Sequence, residues 1–213
     1  MSSRRFLPAV AAVICLLGGL SAGASFEVVH AFDPGPAVPY SALIRGTDGN
    51  FYGSSGYGGT FDHGTIYRLT PANEVSVVVS LSGRGGTTPG AGPGELFQDS
   101  MGTLYGTTHE GGLGIHSVYG TVFKVTPQGQ HVLLHSFEGD ATQFGTNPVG
   151  PLGLDAAGNV YGVTMGGGIQ ERGTIFKISP AGQFSVLVQF SGTSGPAPGA
   201  APYGGIVADG FGL

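Results

Sequence analysis

"GTIFKISPAGQ" occupies residues 173–183, and near-copies precede it: "GTVFKVTPQGQ" at 120–130 and "GTIYRLTPANE" at 64–74. In the first of these, Thr174, Phe176 and Ile178 alternate with Ile175, Lys177 and Ser179. That is a period of two, built from β-branched and aromatic residues, and it reads as a strand with an aromatic at the centre of one face. Pro180 ends it, since proline brings no N–H to a ladder. Ala181-Gly182, Gln128-Gly129 and Ala72-Asn73 suit a tight turn that needs positive φ. The strand therefore turns back into "FSVLVQF" (184–190), "HVLLHSF" (131–137) and "VSVVVSL" (75–81).

Working outward, each copy is preceded by a second pair of strand candidates. "LGLDAAGNVYG" (152–162) reads as strand, Asp/Gly turn, strand. Tyr-Gly pairs recur at Tyr52, Tyr105 and Tyr161, and Gly-Thr pairs at Gly64, Gly120 and Gly173. The repeat is thus 53 to 56 residues long, with four strands per unit. No window holds a helical period, and Gly or Pro breaks nearly every stretch of ten residues. A tandem four-stranded unit of this size predicts an all-β, β-propeller-like fold. A β-helix or solenoid is the rival reading, but its coils are shorter and need no regular hairpins. The connection after each "VLVQF"-type strand is long and Gly/Pro-rich, so that strand closes a blade. The expected blades are 39–81, 93–137 and 150–190, with an incomplete fourth at 202–213. "FEVVHAF" (26–32) is left over as an outermost-type strand suited to closing a C-terminal blade.

Composition agrees with this architecture. Glycine makes up 42 of 213 residues without a collagen-like period of three, and charged residues are only 10%. Apolar residues, at 40%, are too many and too evenly spread for a disordered chain. Residues 1–24 read as a signal peptide: Arg4 and Arg5, an apolar run at 6–20, and Ala22-Gly23-Ala24 as the cleavage signal. The apolar run is short for a membrane span. Its removal takes Cys15, the only cysteine, with it. The remaining chain, 25–213, has six Lys and Arg against thirteen Asp and Glu, a net charge of −7. Such a chain, without a basic cluster, argues against nucleic acid and anionic membrane surfaces as partners. It also carries no membrane span and no disulfide.

The ordered set "LLHSF", "GLDAAGNVYGVT", "GG" and "GTIFKISPAGQ" resembles the GloVer repeat, a choice-of-anchor tandem repeat of exported bacterial proteins. The resemblance covers about 25–213. It implies a β-propeller-like fold and brings no established activity and no catalytic residues. Members of that family typically carry more copies, often with a C-terminal anchoring segment. Three copies and part of a fourth are too few to close a ring. The expectation is therefore a truncated product or fragment of a longer propeller, or else self-association through open blade edges.

The search for chemistry names no catalytic, cofactor-binding or metal residue. The Gly-rich loops lack the Gly-Lys-Ser/Thr of a phosphate loop. His30 and His135 are equivalent, but Val79 and Val188 fill that place in the other copies. His63, His109, His116 and His131 share no repeat position and form no HExxH, so all six are expected at turns or strand surfaces. Asp99 and Asp155 share a hairpin turn, with Asp209 nearby in the fourth copy and Gly46 in their place in the first. A carboxylate ring could hold Ca²⁺, but Asp commonly caps its own turn. Arg68, Lys124 and Lys177 are equivalent; they could grip an acidic polysaccharide, but are expected to lie along the blade with their charge in water. No cofactor is expected.

The functional expectation is an exported, non-catalytic binding or scaffold module at the cell surface or outside the cell. Its ligand would be an extracellular glycan or protein. The second reading is a lyase or hydrolase acting on an extracellular polysaccharide at one propeller rim. Function should reside in what differs between copies, such as 109–120 and 139–150.

Overall fold

The computed structural model describes residues 38–113, 119–138 and 144–207. The signal segment, "FEVVHAF", His30, His116 and Asp209 lie outside the described residues. Among the described residues, twelve strands form three four-stranded antiparallel sheets. The first holds β1 (Ile44–Arg45), β2 (Phe51–Ser55), β3 (Thr65–Leu69) and β4 (Val75–Ser80). The second holds β5 (Ala91–Gln98), β6 (Leu104–Glu110), β7 (Thr121–Val125) and β8 (His131–Ser136). The third holds β9 (Thr146–Leu154), β10 (Val160–Gly166), β11 (Thr174–Ile178) and β12 (Phe184–Gln189). Each sheet is a meander in which consecutive strands pair. Among the described residues, no helix is long and apolar enough to cross a membrane.

Every recurring residue of the repeat has a place in this scheme. The aromatic of β3, β7 or β11 faces the Gly of the Tyr-Gly pair: Tyr67 opposite Gly53, Phe123 opposite Gly106, Phe176 opposite Gly162. A Cβ on Gly106 would sit 2.7 Å from Phe123 Cζ and 3.0 Å from Leu96 Cδ2. The glycine is therefore the slot that admits the ring. Two residues after that glycine, Thr108 or Thr164 meets the Thr of the Gly-Thr pair, Thr121 or Thr174, at 2.8 Å with both residues buried. Ser55 and Thr65 make the same bond at 2.7 Å. A buried hydroxyl is costly without such a partner.

The core lies between sheets. Ile66, Val79 and Leu81 of the first sheet pack on Leu96, Leu104, Phe123 and Val125 of the second. Val122 and Phe137 of the second pack on Leu152, Val160, Phe176 and Ile178 of the third. A latch repeats at each junction. The carbonyls of His63, Tyr119 and Arg172 accept N–H bonds from Gly92, Asn147 and Ala201 at 3.0, 2.9 and 2.8 Å. The prolines that follow, Pro93, Pro148 and Pro202, pack against Gly64, Gly120 and Gly173. These last glycines hold φ of 98°, 90° and 93°, a region that L side chains avoid. The latch at Pro202 shows the fourth repeat already docking on the third sheet. Ile206 N–H adds a bond to the Pro151 carbonyl at 3.3 Å.

Coverage by a neighbour decides burial. Leu96 and Leu152 are 4% and 3% exposed, whereas Leu43, at the same position on the first sheet, is 44% exposed. No described sheet lies on that side of it.

Candidate ligand-binding site

Backbones of neighbouring sheets come closest along their first strands, with β5 against β1 and β2, and β9 against β5 and β6. At the end where these first strands begin, a cleft of about 430 Å³ opens. Its walls come from five segments. The β2–β3 connection gives Tyr57, Asp62 and His63, and the end of β6 gives Thr107, His109 and Glu110. The entry to β1 gives Tyr40, the start of β5 gives Gly94 and Glu95, and the start of β9 gives Pro148 and Val149.

Local bonds hold these groups in place. Asp62, at φ 58°, accepts the Gly58 N–H at 2.9 Å through Oδ1, which closes the β2–β3 loop. The His63 ring lies against Gly83, where a Cβ would be 2.5 Å from its Cδ2 and Nε2. The latch bond from Gly92 fixes the His63 backbone. Asn147 Nδ2 donates to the His109 carbonyl at 3.1 Å, tying the end of β6 to the start of β9.

Thr107 stands apart. It is 2% exposed and lines the cleft. The nearest atom to a Cβ built on Gly94, across the cleft wall, would be Thr107 Oγ1 at 3.5 Å. The equivalent Ser54 spends its hydroxyl on the Gly94 carbonyl at 2.7 Å, and the equivalent in the third sheet is Val163. Thr107 therefore brings a hydroxyl to the cleft wall where the third sheet carries a methyl.

The histidines divide into two kinds. His63 and His109 are exposed on the cleft. His131 and His135 are half-buried, which corrects the expectation of turn or surface positions. His135 stacks on Phe184 at 3.9 Å between ring centres, and His131 stacks on Phe123 at 5.3 Å. Burial lowers both to a pKa of about 4, so they are neutral rings serving the core. Packing of sheet on sheet put them inside, and strand alternation alone could not show that.

Asp99 and Asp155 cap their own turns. Asp155 Oδ1 accepts the N–H groups of Ala157 and Asn159 at 3.0 and 2.8 Å, and Oδ2 accepts the Tyr161 hydroxyl at 2.9 Å. Asp99 Oδ1 accepts the N–H groups of Met101 and Thr103, each at 2.9 Å. In the first sheet Asp48 replaces them, accepting the Asn50 N–H and the Tyr52 hydroxyl. The Asn159 side-chain bond lowers the Asp155 pKa. Among the described residues, no group of three His, Cys, Asp or Glu is placed to hold a metal ion.

Arg68, Lys124 and Lys177 stand across the ladder from Tyr52, Tyr105 and Tyr161. The Lys177 ammonium lies 5.7 Å from the centre of the Tyr161 ring. Arg68 departs from the expected hydrated pose, because its Nε is buried. None of the three reaches the cleft.

Of the variable stretches, 109–120 and 139–150 contribute His109, Glu110, Pro148 and Val149 to the cleft. Residues 114–118 and 139–143 are outside the described set. The sequence reading missed Tyr40, Tyr57, Asp62, Glu95 and Thr107, and took His63 only as a turn or strand-surface histidine. The available signal was positional: 56–63 is the same connection in the first copy as 109–119 in the second.

A chain of tandem four-stranded sheets with its core between sheets and a cleft at the strand entries is a propeller-like repeat protein. The family described as the Gloeobacter/Verrucomicrobia repeat matches residues 20–212, and the chain belongs to it. No curated protein matches. Among solved structures, the chain is similar to virginiamycin B lyase from Staphylococcus aureus, at 16% identity and a TM-score of 0.51. That match covers 80% of this chain and 46% of the lyase. It is similar to a gluconolactonase from Xanthomonas campestris, at 14% identity and 0.50, covering 80% and 52%. It is also similar to the extracellular domain of a protein from B. thetaiotaomicron described as a hybrid two component system, at 15% and 0.50, covering 89% and 22%. The chain thus spans about half, or less, of the solved chains it matches. These likenesses are likenesses of fold.

Proposed function

We propose that this protein is an exported, non-catalytic binding module that acts at the cell surface or outside the cell, with its ligand in the cleft at the strand entries. One observation carries the reading. Residues common to every copy are consumed by the fold, whereas the polar side chains of the cleft come from positions that differ between copies. His109 corresponds to Gly56 and Met165, Glu95 to Ala42 and Pro151, and Thr107 to Ser54 and Val163. A polar cluster drawn from non-equivalent positions serves a ligand rather than the repeat. Export rests on the reading of 1–24 as a signal peptide.

A second reading has one observation in its favour. His63 and His109 share the cleft with three carboxylates, which is the material of acid–base chemistry. On that reading the chain is a lyase or hydrolase acting on an extracellular polysaccharide. Two of the similar folds carry enzyme descriptions, a lyase and a gluconolactonase. Residues 25–213, purified and screened on a glycan array and in polysaccharide-degradation assays, separate the two. Binding without turnover supports the module, and turnover refutes it.

A further inference from the structure

We infer that the cleft recognises an uncharged pyranose sugar, presented as a unit of a neutral polysaccharide. This rests on the reading of the chain as a binding module and specifies its ligand class.

Three features of the walls point there. First, Tyr40 and Tyr57 are 69% and 51% exposed at the lip. A phenol ring offers an apolar face to the C–H face of a sugar and a hydroxyl to its edge. Second, Asp62, Glu95 and Glu110 supply acceptors for sugar hydroxyls, and each carboxylate can take two neighbouring hydroxyls at once. All three are exposed, so water screens their charge, and what they offer is acceptor geometry rather than a grip on a cation. Third, Thr107, a residue only 2% exposed, brings a hydroxyl to the wall. Such a group gains most from a ligand that can both donate and accept.

The lining excludes the acidic class. Among the described residues, no Lys or Arg borders the cleft. The three repeated basic residues lie opposite tyrosines of the ladder instead. A uronate or sulfated sugar would meet three carboxylates and neither Lys nor Arg. The polarity also belongs to this one junction. At the next junction the positions of Glu95, Thr107, His109 and Glu110 are Pro151, Val163, Met165 and Gly166.

That comparison supplies variants the fold already tolerates. Thr107→Val and His109→Met import the residues of the third sheet, and Tyr40→Val imports its Val149. Residues 25–213 would be titrated calorimetrically with hexasaccharides of neutral β-glucan, mannan and xylan, with chitosan hexamer, and with a polygalacturonate hexamer. The expected result is binding of at least one neutral hexasaccharide, insensitive to salt between 50 and 500 mM. Each variant should weaken it by roughly three- to tenfold, the worth of one hydrogen bond or ring contact, with unchanged melting. Binding confined to the polygalacturonate, or to chitosan and lost at high salt, overturns the neutral class. So does full affinity in the triple variant. A protein ligand whose binding the triple variant abolishes overturns the sugar but leaves the binding module standing. Cleavage of a polymer overturns the module itself.

Discussion

Gly106→Ala tests whether the glycine of each Tyr-Gly pair is there to admit the aromatic ring opposite. The new Cβ would lie 2.7 Å from Phe123 Cζ, 3.0 Å from Leu96 Cδ2 and 3.1 Å from Phe123 Cε1. Carbon atoms prefer about 3.5–4.0 Å, so the ring must retreat by roughly 0.8–1.3 Å. It has nowhere to go, because Phe123 is fully buried and packed against the first sheet's Ile66 and Leu81 cluster. Overpacking of this kind costs about 1–3 kcal/mol. Replacing glycine returns about 0.4–1 kcal/mol by restricting the unfolded chain. The net expectation is a loss of roughly 1–2 kcal/mol. In a chain of this size that is a fall in melting temperature of about 2–8 °C. The chain has no Trp and eight Tyr, so urea unfolding would be followed by tyrosine fluorescence and circular dichroism. Phe123→Leu makes room, so the Gly106→Ala/Phe123→Leu pair should be less destabilised than the sum of the singles, by about 1 kcal/mol. A Gly106→Ala protein as stable as the parent, or strict additivity in the pair, refutes the reasoning.

Three further outcomes follow from the same geometry. His131 and His135 sit at about pKa 4 when folded, against about 6.5 when unfolded. The unfolded state therefore binds more protons below pH 6.5, and their stabilisation is complete above that pH and lost as pH falls to 4. The loss should be roughly 1–3 kcal/mol for each ring, given its partial exposure. Urea midpoints measured from pH 7 to 4 should drop across this window, and less so in His131→Phe and His135→Val, the residues of the third sheet at these places. Asp99→Ala strands the N–H groups of Met101 and Thr103 and should cost about 1–2 kcal/mol in urea unfolding, while Asp99→Asn keeps an acceptor and most of the stability. Ala201 holds φ 46° where Gly92 stands at the first junction. Ala201→Gly should relieve up to about 1 kcal/mol of strain and raise the hydrogen-exchange protection of the Ile206 amide.

Much of the fold was legible because its signals are local and repeated. "GTIFKISPAGQ" carries its own alternation, its own terminator and its own turn, and two further copies set the period. The Tyr-Gly and Gly-Thr pairs fixed the repeat length, and two hairpin readings per repeat gave four strands. The turn chemistry was partly legible: Asp99 and Asp155 cap as expected. Asp48 escaped notice because it does the same work from a different offset, reaching Tyr52 from two residues closer to the second strand. The cleft was legible only as a suspicion about two variable stretches. Its parts come from positions as far apart as Tyr40 and Val149, and none of them forms a motif.

The sequence by itself determined the elements, their order and their pairing within each sheet, because strand alternation and tight turns act between neighbours a few residues apart. Only the tertiary structure decided what happens between sheets. It put His131 and His135 among aromatic rings and left Leu43 bare where Leu96 is covered. It also brought His63, Thr107, His109 and Glu95 to one opening. Burial and convergence depend on which face of one sheet meets the next. The latch that sets this meeting joins residues about thirty apart, such as His63 and Gly92, through backbone atoms that every residue shares.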